Sequence, residues 1–239
     1  MDLERMQVEL GMIVQSPGLE PYFMDWLNDA ILEVATDYDL PPLALADPVT
    51  LGVNTSKWLW SLPEDFHKNL FLAKGVNADG TVHRIHRIHK NPTHLKSKNH
   101  TSTADQVHEL AVVPQGSSFF LGIHPLATQD LQLWYYRKPV LLVKAADVCD
   151  CIPFNFIPQV IYPMVIIKNY QFITDQVRDF PFMAGPVQYW AGELRKGLFG
   201  ASGMGTGLIN HFNLNFNPPR RTGGRDSIGW RSYYYGTGL

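Results

Sequence analysis

The period of the apolar residues changes twice along the chain, and this limits the fold more than any other feature. Apolar residues recurring every three to four positions build one face of a helix, strict alternation builds a strand, and one segment cannot satisfy both. Leu3, Met6, Leu10, Ile13 and Val14 share a helical face, which Ser16-Pro17-Gly18 interrupts. A second helical pattern runs through Tyr22/Phe23, Trp26/Leu27, Ala30/Ile31 and Val34, with Asp25, Asp29 and Glu33 between them. Pro41-Pro42 ends it, because proline disfavours helix in the residue before it and donates no backbone hydrogen bond.

From about residue 55 the period becomes two. Trp58-Leu59-Trp60, Val107–Val113, Phe119–Ile123 and Leu131–Tyr135 are short β-rich runs, punctuated by Pro63, Asn77–Gly80, Pro114-Gln115-Gly116 and Pro125. Asn77–Gly80 reads as a hairpin tip, and the polar stretch Lys90–Asp105 as an exposed loop. Helical spacing returns near Phe156 and runs through Ile157, Val160, Ile161, Met164, Val165, Ile167 and Ile173, with a kink expected at Pro163. Tyr189, Trp190, Leu194 and Leu198 continue a shorter helix.

Helices on both sides of a β segment imply an α+β chain. We read a helical bundle from 1–50 and 150–200, an inserted antiparallel β domain (sandwich or small barrel) over 51–149, and an extended C-terminal arm over 201–239. The arm opens on the glycine-rich run Gly200–Gly207 and has little capacity for a core of its own. It nevertheless carries Phe212, Phe216, Trp230, Tyr233, Tyr234 and Tyr235, beside Arg220, Arg221, Arg225 and Arg231. Aromatics and arginine concentrate binding energy at interfaces, so the arm is expected to order on a partner.

With 45% apolar and 18% charged residues, the chain is unlike a disordered one. No apolar run reaches the ~18 residues a membrane-spanning helix needs, and the acidic, amphipathic start is unlike a secretory signal. Cys149 and Cys151, the only cysteines, suit neither an ordinary disulfide nor a zinc site by themselves, and read as small core residues in a reducing compartment.

The net charge of −2 conceals an uneven distribution. Residues 1–47 sum to −9, 57–100 to +5 and 201–239 to +3. Such alternation suggests complementary surfaces within the chain or between copies of it, although a solvated acidic helix pair would also explain its first part.

Chemistry is harder to find. In His83-Arg-Ile-His-Arg-Ile-His-Lys90 three imidazoles recur at every third position, near His67, His94, His100 and His108, and invite a metal reading. On a strand His83 and His89 would share one face and His86 the other, so they could not meet at one ion. No HExxH motif, paired CxxC or 2-His-carboxylate spacing occurs, and no metal or cofactor is expected. A cationic edge or contact strand is the preferred role for the run. Gly200–Gly207 lacks the Lys-Ser/Thr of a phosphate loop, and no Gly-x-Ser-x-Gly elbow or catalytic carboxylate pair stands out. An enzyme is therefore not expected. No helix-turn-helix or RNP-like motif marks a dedicated nucleic-acid reader, which leaves incidental contact with a phosphate backbone.

Three segments carry a resemblance. Trp58-Leu-Trp-Ser-Leu-Pro-Glu-Asp-Phe66 resembles the aromatic–x–Leu-Pro-x-Asp-Phe approach to the β region in head-to-tail adaptor proteins of short-tailed phages. Leu131-Gln-Leu-Trp-Tyr-Tyr-Arg-Lys-Pro139 resembles the exit strand of that family, and Trp26-Leu-Asn-Asp-Ala-Ile-Leu-Glu33 is similar to its early Asn-containing helix. The resemblance spans roughly residues 1–200, and no motif of the family matches the long kinked helix or the histidine-rich 77–106 region.

It implies a structural virion protein, assembled in the host cytoplasm, that forms a homo-oligomeric ring, usually of twelve copies, between the portal protein and the next tail component, such as the tail nozzle. DNA would pass transiently and without specificity through the central channel, with no membrane involved. Arg220, Arg221, Arg225, Trp230, Arg231, Tyr233, Tyr234 and Tyr235 would dock the arm on the portal or a neighbour. Asp25, Asp29 and Glu33 could meet Arg84, Arg87 and Lys90 of the next subunit, or the acidic helices could line the channel. A carbohydrate- or receptor-binding tail module and a His-rich metal-binding protein are the alternatives.

Overall fold

The computed structural model describes residues 1–15, 17–116, 118–176, 187–200 and 207–208. Of the expected C-terminal arm, 201–239, all but residues 207–208 lie outside them. The chain is mixed α+β, with six α-helices and eight strands among the described residues. It forms two compact units, one from residues 39–139 and one from 1–38 together with those described from 140 onward.

In the helical unit, α1 (Leu3–Val14) starts where the Asp2 carboxylate accepts the Arg5 amide, 2.9 Å away, satisfying a donor with no partner inside the helix. Leu3, Met6, Leu10 and Val14 are buried on one face, as their spacing predicts. Helix α2 (Glu20–Asp37) buries Phe23, Leu27, Ala30, Ile31 and Val34 and leaves Asp25 and Asp29 exposed. Asn28 on α2 clamps the chain where it returns from the other unit: its amide donates to the Leu142 carbonyl (2.9 Å) and accepts the Leu142 N–H (2.8 Å).

The expected kinked helix is built differently. A π-helical turn, Ile157–Ile161, runs into α4 (Tyr162–Lys168), and α5 (Tyr170–Gln176) follows Asn169. Pro163 therefore lies in the first turn of α4, where a missing N–H is tolerated, and the chain breaks at Asn169 instead. Pro163 cannot serve the Gln159 carbonyl as an i+4 donor. Gly197 of α6 (Val187–Phe199) packs against that carbonyl, and a Cβ there would overlap it. Cys149 and Cys151 are buried free thiols with their sulfurs 3.8 Å apart. No described helix is long and apolar enough to cross a membrane.

The other unit holds two four-stranded sheets around one core. The first has the order β1 (Val49–Val53), β8 (Gln129–Arg137), β3 (Phe66–Val76), β4 (Val82–Arg84), all antiparallel. The second has the order β2 (Leu59–Ser61), β7 (Ser118–His124), β6 (Glu109–Gln115), β5 (Arg87–His89). Neither closes into a barrel, so of the two expected arrangements the barrel is excluded. The expectation of a wholly antiparallel domain is also corrected. β5 pairs parallel with β6, because residues 90–108 carry the chain back across the sheet before β6 starts.

Alternation on β8 turns Leu131, Leu133 and Tyr135 into the core, where Leu110, Leu121 and Ile123 of the second sheet join them. Asn77–Gly80 makes the β3–β4 hairpin tip, with Gly80 at φ 82°, a conformation that favours glycine. Polar residues 90–105 are not simply an exposed loop. They contain the one-turn helix α3 (Thr93–Lys96), whose Leu95 is fully buried against Gly122.

The ends of the β unit are tied to each other. The fully buried Tyr135 donates its hydroxyl to the Asp65 carboxylate at 2.7 Å, and the Lys138 N–H donates to the Asp65 carbonyl at 2.7 Å. Phe66 packs its ring 5.1 Å from that of Tyr135. Burial and the Asp65 charge push the Tyr135 hydroxyl well above its ordinary pKa. Replacing Tyr135 by Phe should therefore cost about 1–2 kcal/mol in urea unfolding at neutral pH. A phenol held protonated in the fold contributes fully below its unfolded pKa of about 10 and less as the pH rises toward its folded value. The gap between wild type and variant should accordingly narrow in alkali.

Candidate functional site

A charged cluster in the β unit gathers around one buried carboxylate. Glu109 opens β6, and its side chain is 7% exposed. Parallel pairing sets Arg87 of β5 opposite Glu109, and the antiparallel partner on β7 is His124. The two carboxylate oxygens divide their partners. Oε1 accepts from the Arg87 guanidinium at 3.0 Å and lies 3.6 Å from Lys98 Nζ, while Oε2 lies 3.1 Å from His89 Nε2. Burial by itself would raise the Glu109 pKa; the hydrogen bonds of Arg87 and His89 and the charge of Lys98 outweigh it and hold the carboxyl below its ordinary value.

Local structure brings the rest. The Asn91 side chain accepts the Thr93 N–H at 2.9 Å and so starts α3, and burial of Leu95 then fixes the helix on the sheet. His94, exposed on α3, has its ring 4.5 Å from that of His89. One ligand-capable atom from each of His89, His94 and Glu109 falls within 4.8 Å of the other two. On the neighbouring side lies an open cleft of about 420 Å³ lined by Arg84, His86, Arg87, His108, Glu109 and His124, among others. Burial lowers the pKa of His124, which favours its neutral form.

No protein-family model matches the chain, and no curated protein matches it.

The residues singled out from sequence are distributed unevenly. Asp25 and Asp29 are exposed on α2, but Glu33 is paired within its own unit, 2.6 Å from Lys168 Nζ. Arg84, Arg87 and Lys90 are all exposed, and Arg87 in addition donates to Glu109 within its own unit. Arg220, Arg221, Arg225, Trp230, Arg231, Tyr233, Tyr234 and Tyr235 lie outside the described residues.

The histidine run is not one strand. It breaks after Arg84, and its halves become edge strands of different sheets. His83 packs over Gly75 in the first sheet, where a Cβ on Gly75 would overlap its ring, while His89 faces Glu109 in the second. Sequence reasoning set His94 near the run without pairing it with His89, and it missed Glu109 and Lys98; the three lie five to twenty residues from His89 and meet it only through the parallel pairing and α3. The one available signal was an acid at the head of the apolar run Leu110–Val113.

Arg87→Ala and Lys98→Ala should each cost about 1 kcal/mol or less, since both cations are partly exposed and the other remains. The double variant leaves a nearly buried carboxylate with only an imidazole, and should cost about 3 kcal/mol in urea unfolding, more than the two singles together.

Proposed function

We propose that the protein is a head-to-tail adaptor of a short-tailed phage: a structural, non-catalytic virion component that forms a ring between the portal and the tail, with a channel for DNA. The observation that carries this reading is where the three segments of the resemblance make their contacts. Asp65 from the first binds Tyr135 and the Lys138 backbone of the second, and Asn28 from the third clamps Leu142 three residues past the second segment's end. One contact lies within the β unit at the end of β8 and the other within the helical unit, where the chain resumes after it. Segments scattered over more than a hundred residues that each fix the chain close to residues 135–142 in sequence fit a shared architecture better than chance similarity of short motifs.

In this reading the helical unit is the family's bundle, residues 201–239 form the arm that docks on the portal or a neighbour, and assembly takes place in the host cytoplasm. The ring brings unlike faces of neighbouring copies together, and their charges should complement. Because Glu33 and Arg87 already have partners within their own units, the contact is assigned to Asp25 and Asp29 against Arg84 and Lys90.

Electron microscopy of the purified chain mixed with the portal protein of its particle should show closed rings on the portal. A monodisperse monomer that ignores the portal overturns the proposal, and a monomer or trimer that binds a glycan or host receptor favours a receptor-binding tail module. Asp25→Lys with Asp29→Lys should impair ring closure; normal rings with defective DNA ejection would assign these acids to the channel instead. Removing residues 218–239 should leave a folded chain that no longer docks, and unchanged portal affinity would refute the role of the arm.

A further inference from the structure

The geometry points to a divalent transition-metal site formed by His89, His94 and Glu109, with Zn²⁺ as the fitting ion. The three donors come from β5, α3 and β6, and they converge within 4.8 Å. Zinc holds imidazole nitrogen and carboxylate oxygen at about 2.0–2.2 Å in a tetrahedron, which sets neighbouring donors about 3.3 Å apart. His89 Nε2 and Glu109 Oε2 already stand 3.1 Å apart. Only His94 must move closer, and it is the exposed member of the set, free to turn about its side-chain torsions.

The surroundings favour this use of the carboxylate. Arg87 and Lys98 occupy Oε1 and leave Oε2 directed at His89, the arrangement by which outer partners orient a ligand. Two imidazoles among three donors select zinc, nickel, cobalt or copper over calcium or magnesium, which prefer all-oxygen sites. The same two cations oppose a further positive charge, so the site is assigned a moderate affinity rather than that of a closed structural zinc centre. The position facing solvent beside His94 is left for water or for a donor from another molecule. The ion would tie α3 and β5 to β6, closing the connection between His89 and Glu109.

The inference stands apart from the ring proposal, because binding is measured on the isolated chain. Calorimetric titration of the full-length protein with Zn²⁺ should show one saturable site with micromolar affinity, and Co²⁺ should give visible absorption of a low-coordinate ion. Saturating Zn²⁺ should also raise the melting temperature. His94→Ala, at an exposed position that the fold does not require, should weaken Zn²⁺ binding at least about tenfold and remove the Co²⁺ absorption. His86→Ala, in the same histidine run but facing the cleft, should leave both unchanged. Absence of saturable binding below millimolar Zn²⁺, binding that survives His94→Ala, or binding lost in His86→Ala would each overturn the assignment.

Discussion

A unit inserted into another must return the chain close to where it took it up, and that requirement organises this molecule. Within the β unit, the Leu45 N–H donates to the Tyr135 carbonyl at 3.1 Å, and Ala44 bridges Tyr136, so the incoming segment lies directly on the outgoing strand β8. Asp65 then fixes the end of that strand from the other side through Tyr135 and Lys138. β8 is also central in its sheet, paired with β1 and β3, so a shift in its register would move both neighbours and turn Leu131, Leu133 and Tyr135 out of the core. The return of the chain and the formation of the core are consequently one problem with one solution. In the helical unit Asn28 makes the corresponding contact with Leu142, and it uses both halves of its amide on one residue's backbone.

How much of this was legible in the sequence follows from the range of each interaction. The helical face of α1, the β-rich run of β8 and the hairpin tip at Asn77–Gly80 are set by neighbours a few residues away, and periodicity and turn chemistry reported them. β3 was less visible. Asn69 sits at φ 48° where the β3–β8 register shifts, and its amide and Lys68 both bind Asp39, so polar residues interrupt the alternation that would have marked the strand. Spacing also misread the histidine run, because counting every third residue presumes one continuous element. A change of sheet between Arg84 and Arg87 removes that presumption. At Pro163, where spacing and proline chemistry imply a kink, the helical backbone is continuous and the proline is accommodated by a π-helical turn directly before α4.

Charge illustrates the difference between composition and contact. The acidic start and the basic segment 57–100 suggested surfaces waiting for partners, yet two of the six residues chosen on that basis have partners inside their own units. Lys168 answers Glu33 and Glu109 answers Arg87, and neither partner lies in the charge block that drew attention to the pair. Block sums count charges that are already compensated locally. What remains exposed after that compensation, Asp25 and Asp29 on one unit and Arg84 and Lys90 on the other, is the smaller and more informative set.

The connection between β5 and β6 shows why a charged cluster belongs where it is. Ordering a polar segment of this length costs conformational entropy at every residue, and the segment brings little apolar surface to offset it. Leu95 and, just before β6, Val107 are its fully buried apolar anchors, with His100 stacked on Trp58 at 4.0 Å and Thr103 bridged to Leu126 between them. Its beginning is held by a three-residue edge strand, too short to hold by backbone pairing alone. The attraction of Arg87, His89 and Lys98 to Glu109 supplies the missing restraint, joining both ends of the segment and a residue near its middle to a single carboxylate. A carboxylate must be nearly buried to act this strongly, and a nearly buried carboxylate beside two imidazoles is also a ligand set. The structural need and the metal-binding geometry therefore have the same physical origin.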